Sequence, residues 1–227
     1  TFVGCVGGDS MGDSLIKEIK GLGVKSLIKQ SSTPTEVSFA VSFANAARSL
    51  ITARGANVDL LSKDLPDLSG FDHLHFSGFY HLSGLKKSVK SLFKKAKSQG
   101  LSISFDPGFV KGESPSMVKE LLPLVDLLFV SEPELKEFGG IQYSSRRVGV
   151  LAVHSGVEGS MVYYKGQRLV SQPIRVKVVN STGAGALYNA GFLKKFLKGK
   201  PIEECMEKGV SIAKFYMRRD EQEFPKR

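Results

Sequence analysis

Hydrophobic residues form two alternating patterns along this chain. Short continuous apolar runs, such as 101–105 and 127–130, are typical of buried strands. Between these runs, apolar residues recur three to four positions apart, which predicts amphipathic helices. Strands that alternate with helices favour a mostly parallel central sheet with helices on both faces, and hence an α/β fold.

Polar residues, glycines and prolines set the predicted boundaries. Asp9 or Ser10 caps the first helix, which runs to about residue 20 and turns Leu15, Ile16 and Ile19 inward. Strands are predicted at 1–8, 24–28, 73–76, 101–105, 127–130, 148–153, 160–164, 167–171 and 174–179. Helices are predicted at 10–20, 84–98, 116–125, 132–138, between 138 and 148, after 185 and from about 201.

The segment 36–43 differs from the rest because its apolar and polar side chains alternate strictly. Its apolar face consists of Val37, Phe39, Val41 and Phe43. A turn at Asn45-Ala46 and a second strand at 49–52 complete a predicted hairpin. We expect a small β lid or a homodimer surface at about 33–57, and an ordinary edge hairpin of the main sheet is the alternative.

Composition bounds the class of protein. With 227 residues, of which 41% are hydrophobic, the chain can bury a sizeable core, and we expect a single α/β domain over 1–227. No apolar run approaches the roughly 18 residues of a membrane span, and the first residues lack the basic and apolar regions of a signal peptide. Cys5 and Cys205 are expected to be free thiols, which favours the cytoplasm.

The net charge of +10 raises the question of an anionic partner. Six of the lysines cluster on one predicted helix, and they are Lys86, Lys87, Lys90, Lys94, Lys95 and Lys97. A solvated helix face explains this cluster, so we do not expect nucleic-acid binding, although salt-sensitive affinity for DNA or RNA would reveal it. The four histidines form no zinc-binding pattern.

Candidate chemistry lies near the end of the chain, in 178–186. Apolar residues lead through Asn-Ser-Thr into Gly-Ala-Gly and then into a helix. Amides at a helix N-terminus have no intrahelical acceptor and carry partial positive charge, so this turn can bind a phosphate. The chain has no Walker A sequence, which excludes a P-loop enzyme.

This segment resembles the D-T-T-G-A-G-D signature of the ribokinase-like (PfkB) carbohydrate kinases. Further segments resemble the family's motifs in the family's order, and they are 4–12 with 22–24, 33–35 with 55–57, 105–107, 131–134 and 155–159. The resemblance implies a three-layer ribokinase-like fold that consists of a mostly parallel sheet, helices on both faces and a small β lid hairpin. It also implies that ATP phosphorylates a hydroxyl of a small-molecule sugar or related polyol with the help of Mg²⁺.

The resemblance assigns roles to individual positions. The turn that would stabilise the transferred phosphoryl group comprises Gly183, Ala184 and Gly185, and Ala186 stands at the position of the catalytic base. Nucleotide-binding positions are Ser131, His154, Gly156, Gly159 and Thr182. Substrate-binding or structural positions are Asp9, Gly78 and Asp106, and Glu134 would support Mg²⁺ through water.

Several positions depart from the family pattern. Ala186 cannot accept a proton, and Asn180 replaces an aspartate, so we expect the chain to bind nucleotide but to turn over slowly or not at all. A non-catalytic protein that binds nucleotide or sugar is the alternative. The family's first strand and its G-G-x-x-x-N segment do not precede Gly4, so we expect further residues before Thr1. Ribose, fructose, ketodeoxygluconate, inositol and nucleosides all stay open as substrates.

Overall fold

The computed structural model describes residues 1–42, 48–108, 110–176 and 181–218. The chain divides into two compact units. The first contains Thr1–Phe71, Gly78–Gln99 and Phe109–Glu113, and the second contains Asp72–Ser77, Gly100–Gly108 and Ser114–Arg227. The single domain remains a prediction, and each unit is described below by itself.

The first unit contains two small sheets. Its elements are β1 (Phe2–Gly7), α1 (Ser10–Gly21), β2 (Ser26–Ser31), β3 (Val37–Ser42), β4 (Arg48–Ala53), α2 (Ser83–Lys86) and α3 (Val89–Ser98). Strands β1 and β2 pair in parallel, with Phe2 opposite Ser26. Strands β3 and β4 pair antiparallel, with Phe39 opposite Ile51. Short 3-10 helices at Ala56–Asp59, Ser62–Asp64 and Phe79–His81 connect these elements.

Three predictions for the first unit need correction. The lysine-rich helix is broken at 87–88, where the amide of Ser88 donates to the carbonyl of Leu85 and closes a tight turn. Leu15 is 42% exposed instead of inward, and the buried residue of α1 is Gly12, whose small size lets the helix backbone approach β1. Strand β2 begins two residues later than predicted.

The predicted hairpin is present as β3 and β4, while its turn at 43–47, including Phe43, lies outside the described residues. Phe39 and Ile51 are each 63% exposed, and Val41 is 43% exposed. These three side chains of the apolar face are therefore exposed in the described chain, while Val37 is half-buried.

The second unit is built on one six-stranded sheet. Its strands are β5 (His73–Ser77), β6 (Ser102–Asp106), β7 (Leu127–Ser131), β8 (Val150–His154), β9 (Ser160–Tyr164) and β10 (Gln167–Val170), in the order β10-β9-β8-β7-β6-β5. Strands β5 to β8 are parallel, and β9 and β10 are antiparallel. The mostly parallel sheet predicted from the sequence is confirmed.

The helices of the second unit are α4 (Ser116–Leu121), α5 (Glu132–Glu137), α6 (Gly140–Ser145), α7 (Ala184–Phe196) and α8 (Ile202–Met217). The core contains Phe129 of β7 and Phe192 of α7, whose rings meet edge to face with centroids 5.6 Å apart. Residues 174–176 are not in a strand, so the strand predicted at 174–179 is wrong there, and 177–180 lie outside the described residues. In the part of the chain that the structure describes, no helix has the length and apolar character needed to cross a membrane.

Candidate active site

Polar side chains meet at one edge of the second unit's sheet, where three parallel strands end. Asp106, Ser131 and His154 are the last residues of β6, β7 and β8. Ser131 and His154 are paired in the β7–β8 register. Ligands of parallel α/β sheets bind outside the carboxyl ends of the strands, so this edge is the expected place for a site.

A chain of hydrogen bonds connects two of these strand ends through α7. The side-chain amide of Asn189 donates to Asp106 Oδ2 at 2.7 Å, and Asn189 Oδ1 lies 2.8 Å from His154 Nε2. Because the oxygen of Asn189 can only accept, His154 carries its proton on Nε2. Asn189 is buried, and our sequence reasoning missed it. The signal was its position three residues after Ala186, on the same helix face.

The His154 imidazole is packed beneath the start of α7. Its ring stacks on Phe129 at 6.2 Å and meets Tyr188 edge to face at 4.9 Å. A Cβ atom placed on Gly185 would lie 3.4 Å from His154 Nδ1 and Cε1. Burial lowers the pKa of His154, so the ring is neutral at pH 7. His154 thus supports the turn before α7 from below, while its predicted contact with nucleotide stays a prediction.

The carboxyl group of Asp106 has an unusual proton affinity. Burial and then the charge of Glu134 raise its pKa from 3.8 to about 6, although hydrogen bonds from Asn189 and the Gly108 amide oppose the shift. The charge of Glu134 close to Asp106 makes this an environment that favours a cation. With a pKa of about 6, the Asp106 carboxyl group is mostly ionised at pH 7, and it gains a proton when the pH falls slightly below neutral.

Replacing this group should change how stability depends on pH. The folded protein holds its Asp106 proton up to about pH 6 whereas the unfolded chain releases it near pH 3.8, so this group makes unfolding easier as pH rises between these values. We expect the stability of Asp106→Asn relative to wild type to increase by up to roughly 3 kcal/mol between pH 4 and pH 7. Urea unfolding in EDTA at both pH values measures this difference.

Asp64→Asn is the control for that experiment. Hydrogen bonds from Lys29 and the Leu61 amide lower the pKa of Asp64, so its substitution should change the relative stability with the opposite sign. Equal behaviour of the two variants would contradict the raised pKa of Asp106.

The phosphate-binding turn predicted from the sequence is partly preformed. Gly183 has φ +87° and precedes α7 as its N-cap, a conformation that glycine adopts without strain. The amide of Ala184 donates to the Ser181 carbonyl at 3.2 Å, so it is already engaged. In the described chain, no backbone carbonyl accepts from the amides of Gly185 or Ala186. These two amides are therefore the donors that a phosphate would meet.

Glu134 is held in place by the start of α5. The amide and hydroxyl of Ser131 both donate to Glu134 Oε2 at 2.7 Å, and this capping box fixes the carboxylate at the end of β7. Carboxylate oxygens suit Mg²⁺, which keeps several waters and needs few protein ligands. Among the described residues, no group of three His, Cys, Asp or Glu side chains converges on one point. The residues fit a water-mediated Mg²⁺ ion, which Glu134 and Asp106 would hold.

The turn after β8 contains the two other predicted nucleotide-binding glycines. Gly156 and Gly159 have φ of +58° and +90°. The Gly159 carbonyl accepts from the Ser155 amide at 3.0 Å, which closes the turn. Thr182 lies one residue before Gly183, in the turn that leads to α7. The nucleotide contacts of all these residues stay predictions.

In the first unit, the side chain of Asp9 makes hydrogen bonds that stabilise the local fold. Its Oδ1 accepts from the Gly12 amide at 2.8 Å and caps α1, as predicted. The Thr35 amide donates to Oδ2 at 2.7 Å, and the Thr35 hydroxyl donates to Oδ1 at 2.8 Å. Both oxygens are thus engaged by protein groups. Gly78, with φ +73°, precedes the 3-10 helix at Phe79–His81. Substrate contacts of Asp9 and Gly78 stay predictions.

His73 and His75 link β5 to β6 through hydrogen bonds to serine side chains. His73 Nδ1 lies 2.7 Å from Ser102 Oγ and its Nε2 lies 2.8 Å from Ser104 Oγ, while His75 Nδ1 lies 2.7 Å from Ser104 Oγ. Burial lowers both histidine pKa values, that of His75 to about 4. These neutral rings satisfy serines of β6, which explains their alternation on a strand.

Comparison with known proteins identifies the class. The pfkB family of carbohydrate kinases matches residues 1–224, and the chain therefore belongs to this family. It is 28% identical over 226 residues to an uncharacterized sugar kinase of Archaeoglobus fulgidus, covering 93% of this chain and 88% of that relative. These matches agree with the motifs found in the sequence, and they support ATP-dependent kinase activity that uses Mg²⁺.

Two solved structures define the fold as that of ribokinase. The Methanocaldococcus jannaschii nucleoside kinase, an archaeal member of the ribokinase family, matches with a TM-score of 0.77 and 26% identity over 95% of this chain and 73% of that chain. A putative ribokinase II from E. coli, in complex with ATP and Mg²⁺, matches with a TM-score of 0.84 and 21% identity over 96% and 76% of the two chains.

Proposed function

We propose that this chain binds ATP and directs its γ-phosphoryl group to a hydroxyl of a sugar, a related polyol or a nucleoside. The observation that carries this proposal is the turn before α7, where the amides of Gly185 and Ala186 point away from the helix at its positive end. Family membership and kinase relatives support the same reaction.

The residues of the second unit have distinct parts in the proposed reaction. The amides of Gly185 and Ala186 stabilise charge on the equatorial oxygens of the migrating phosphoryl group. His154 keeps the turn in position from beneath, and Asn189 fixes the orientation of both His154 and Asp106. Glu134 and Asp106 would hold Mg²⁺ through water, and the ion would supply positive charge that neutralises the phosphates.

The absence of a base at position 186 limits this reaction. Ala186 is exposed on the first turn of α7 and has no group that takes a proton. General base catalysis is typically worth about 10²–10⁴-fold, so we propose that turnover is slow while binding is retained. The same observation favours a second candidate, a non-catalytic protein that uses nucleotide or sugar as a regulatory ligand.

Nucleotide binding is the direct test of the proposal. Calorimetric titration with ATP in the presence of Mg²⁺ should give saturable binding to the whole chain. ADP release with a panel of sugars, polyols and nucleosides then separates the slow kinase from the binding protein. Failure to bind ATP at millimolar concentration contradicts the kinase and leaves only the form of the second candidate that binds sugar.

The β3–β4 hairpin supports a proposed homodimer. Its exposed face presents Phe39, Val41 and Ile51, which a second copy of the hairpin would cover. We expect light scattering to give about twice the 24.7 kDa mass of the chain and Phe39→Glu to give the single mass. Lys90→Glu on α3 is a charge-changing control, and a monomeric wild type would contradict the dimer.

We also propose a cytoplasmic kinase. Cys5 and Cys205 are both free and buried, as expected for thiols in a reducing compartment.

A further inference from the structure

The base of the hairpin in the first unit contains a second carboxylate besides Asp9. Glu36 precedes β3, and its side chain is only 10% exposed. Its Oε1 lies 2.6 Å from His81 Nδ1. Its Oε2 is buried and has no hydrogen-bond partner among the described residues. An unsatisfied buried oxygen of a charged group is costly, so this arrangement requires a reason.

The backbone around Glu36 is closely packed. Gly55 packs so closely that a Cβ atom there would overlap the backbone of Glu36. The Ala56 amide donates to the Pro34 carbonyl at 2.8 Å. On the other side, Arg54 Nη1 donates to the Tyr80 carbonyl at 2.9 Å, next to His81. The backbone that carries each member of the pair is therefore packed against its neighbours.

The pair lies between the two substrate positions that the resemblance assigned to this unit. Thr35, which precedes Glu36, binds both oxygens of Asp9 at the carboxyl end of β1. The amide of His81 donates to the Gly78 carbonyl at 2.9 Å, directly after the end of β5. Each oxygen of Asp9 already accepts from a protein donor, whereas Oε2 of Glu36 accepts from none among the described residues.

We propose that Glu36, oriented by His81, accepts a hydrogen bond from a hydroxyl of the substrate and selects a neutral polyhydroxylated compound over a sugar acid. This inference rests on the proposed function and names a specificity-determining residue for it. An ionised carboxylate can only accept hydrogen bonds, so it requires a donor such as a hydroxyl. A substrate carboxylate or phosphate would instead face a like charge and leave the oxygen unsatisfied.

The experiment measures binding, because turnover of this chain is expected to be slow. The whole chain, saturated with a non-hydrolysable ATP analogue and Mg²⁺, is titrated calorimetrically with ribose, fructose, inositol, adenosine and ketodeoxygluconate. We expect at least one neutral compound to bind 10-fold or more tightly than the sugar acid, an effect on the order of that of one hydrogen bond to a charged group. Glu36→Gln should weaken the best neutral ligand by about 10- to 100-fold.

Asp64→Asn is the matched control. Asp64 pairs with Lys29 at 2.9 Å in the same unit and is 20% exposed, but its Oδ2 also accepts from the Leu61 amide. We expect this variant to change ligand affinity by less than about 3-fold, since surface ion pairs contribute little. Glu36→Asp keeps the charge and retracts the oxygen, so it should weaken binding even if Glu36→Gln does not fold.

Deoxy analogues of the best ligand identify the hydroxyl. The analogue that lacks the contacted hydroxyl should bind wild type about 10-fold more weakly than the parent, and Glu36→Gln should bind both compounds alike. Unchanged affinity in both Glu36 variants, tighter binding of the sugar acid, or no binding by any neutral compound overturns the inference. In each of these outcomes, binding of the ATP analogue leaves the proposed function intact, whereas its loss in wild type contradicts the proposed function itself.

Discussion

Ala186→Asp is expected to increase ADP release by about 10²–10⁴-fold with the best substrate of the panel, because it supplies a general base at the position where we propose that one acts. Position 186 is exposed on the first turn of α7, so the carboxylate fits without displacing core residues. The positive end of the helix favours the ionised form, which is the form that accepts the proton. A coupled assay of ADP formation measures the change.

Ala186→Asn is the matched control for this substitution. Asparagine has nearly the same size and polarity as aspartate but takes no proton, so the rate should remain at the level of wild type. If Ala186→Asp stays silent while ATP and substrate still bind, the slow-kinase proposal is wrong and the binding-protein alternative stands.

The second large effect concerns Gly185, whose amide is one of the two unengaged donors at the turn before α7. Gly185→Asp places a negative charge where we propose that phosphate binds, so ATP should bind about 10- to 100-fold more weakly than to Gly185→Asn. The two variants differ in charge and hardly in size. Calorimetric titration with ATP at two salt concentrations measures the difference, which should shrink as salt increases.

The comparison of Gly185→Asp with Gly185→Asn tests whether the phosphates of ATP bind at this turn. A bulky side chain at Gly185 could disturb His154 in either variant, but this disturbance cancels in the ratio of the two dissociation constants. Equal affinity of Gly185→Asp and Gly185→Asn for ATP would contradict phosphate binding at this turn.

Local patterns in the sequence were enough to predict most of the sheet. The resemblance to the family's motifs singled out Asp106, Ser131 and His154. The strand pattern agrees with it, because each residue ends an apolar run and parallel strands bring such ends together. The cap of α1 by Asp9 followed from the same local logic. These features depend on residues that are close together in the sequence, and the periodicity of apolar residues describes only such local relations.

Features that depend on distant partners were missed. Asn189 lies in a helix beside apolar residues, and its two partners are 35 and 83 positions away. The Glu36–His81 pair spans 45 positions. The break at 87–88 was missed for a different reason, since the apolar spacing continues across it while the backbone closes a turn. The periodicity of apolar residues identifies the buried face of a helix or strand, but it does not identify the distant polar side chain that forms a hydrogen bond there.

The amide of Asn189 has a consequence for how protons move through this protein. A carboxyl group and an imidazole in direct contact can exchange a proton, but a carboxamide placed between them has no proton to give up and no site to take one at neutral pH. Asp106 and His154 are therefore joined by hydrogen bonds through Asn189, but they cannot exchange a proton through it. A proton released by a bound hydroxyl cannot travel along this path, so the Asp106–Asn189–His154 chain offers no relay that would replace a base at position 186.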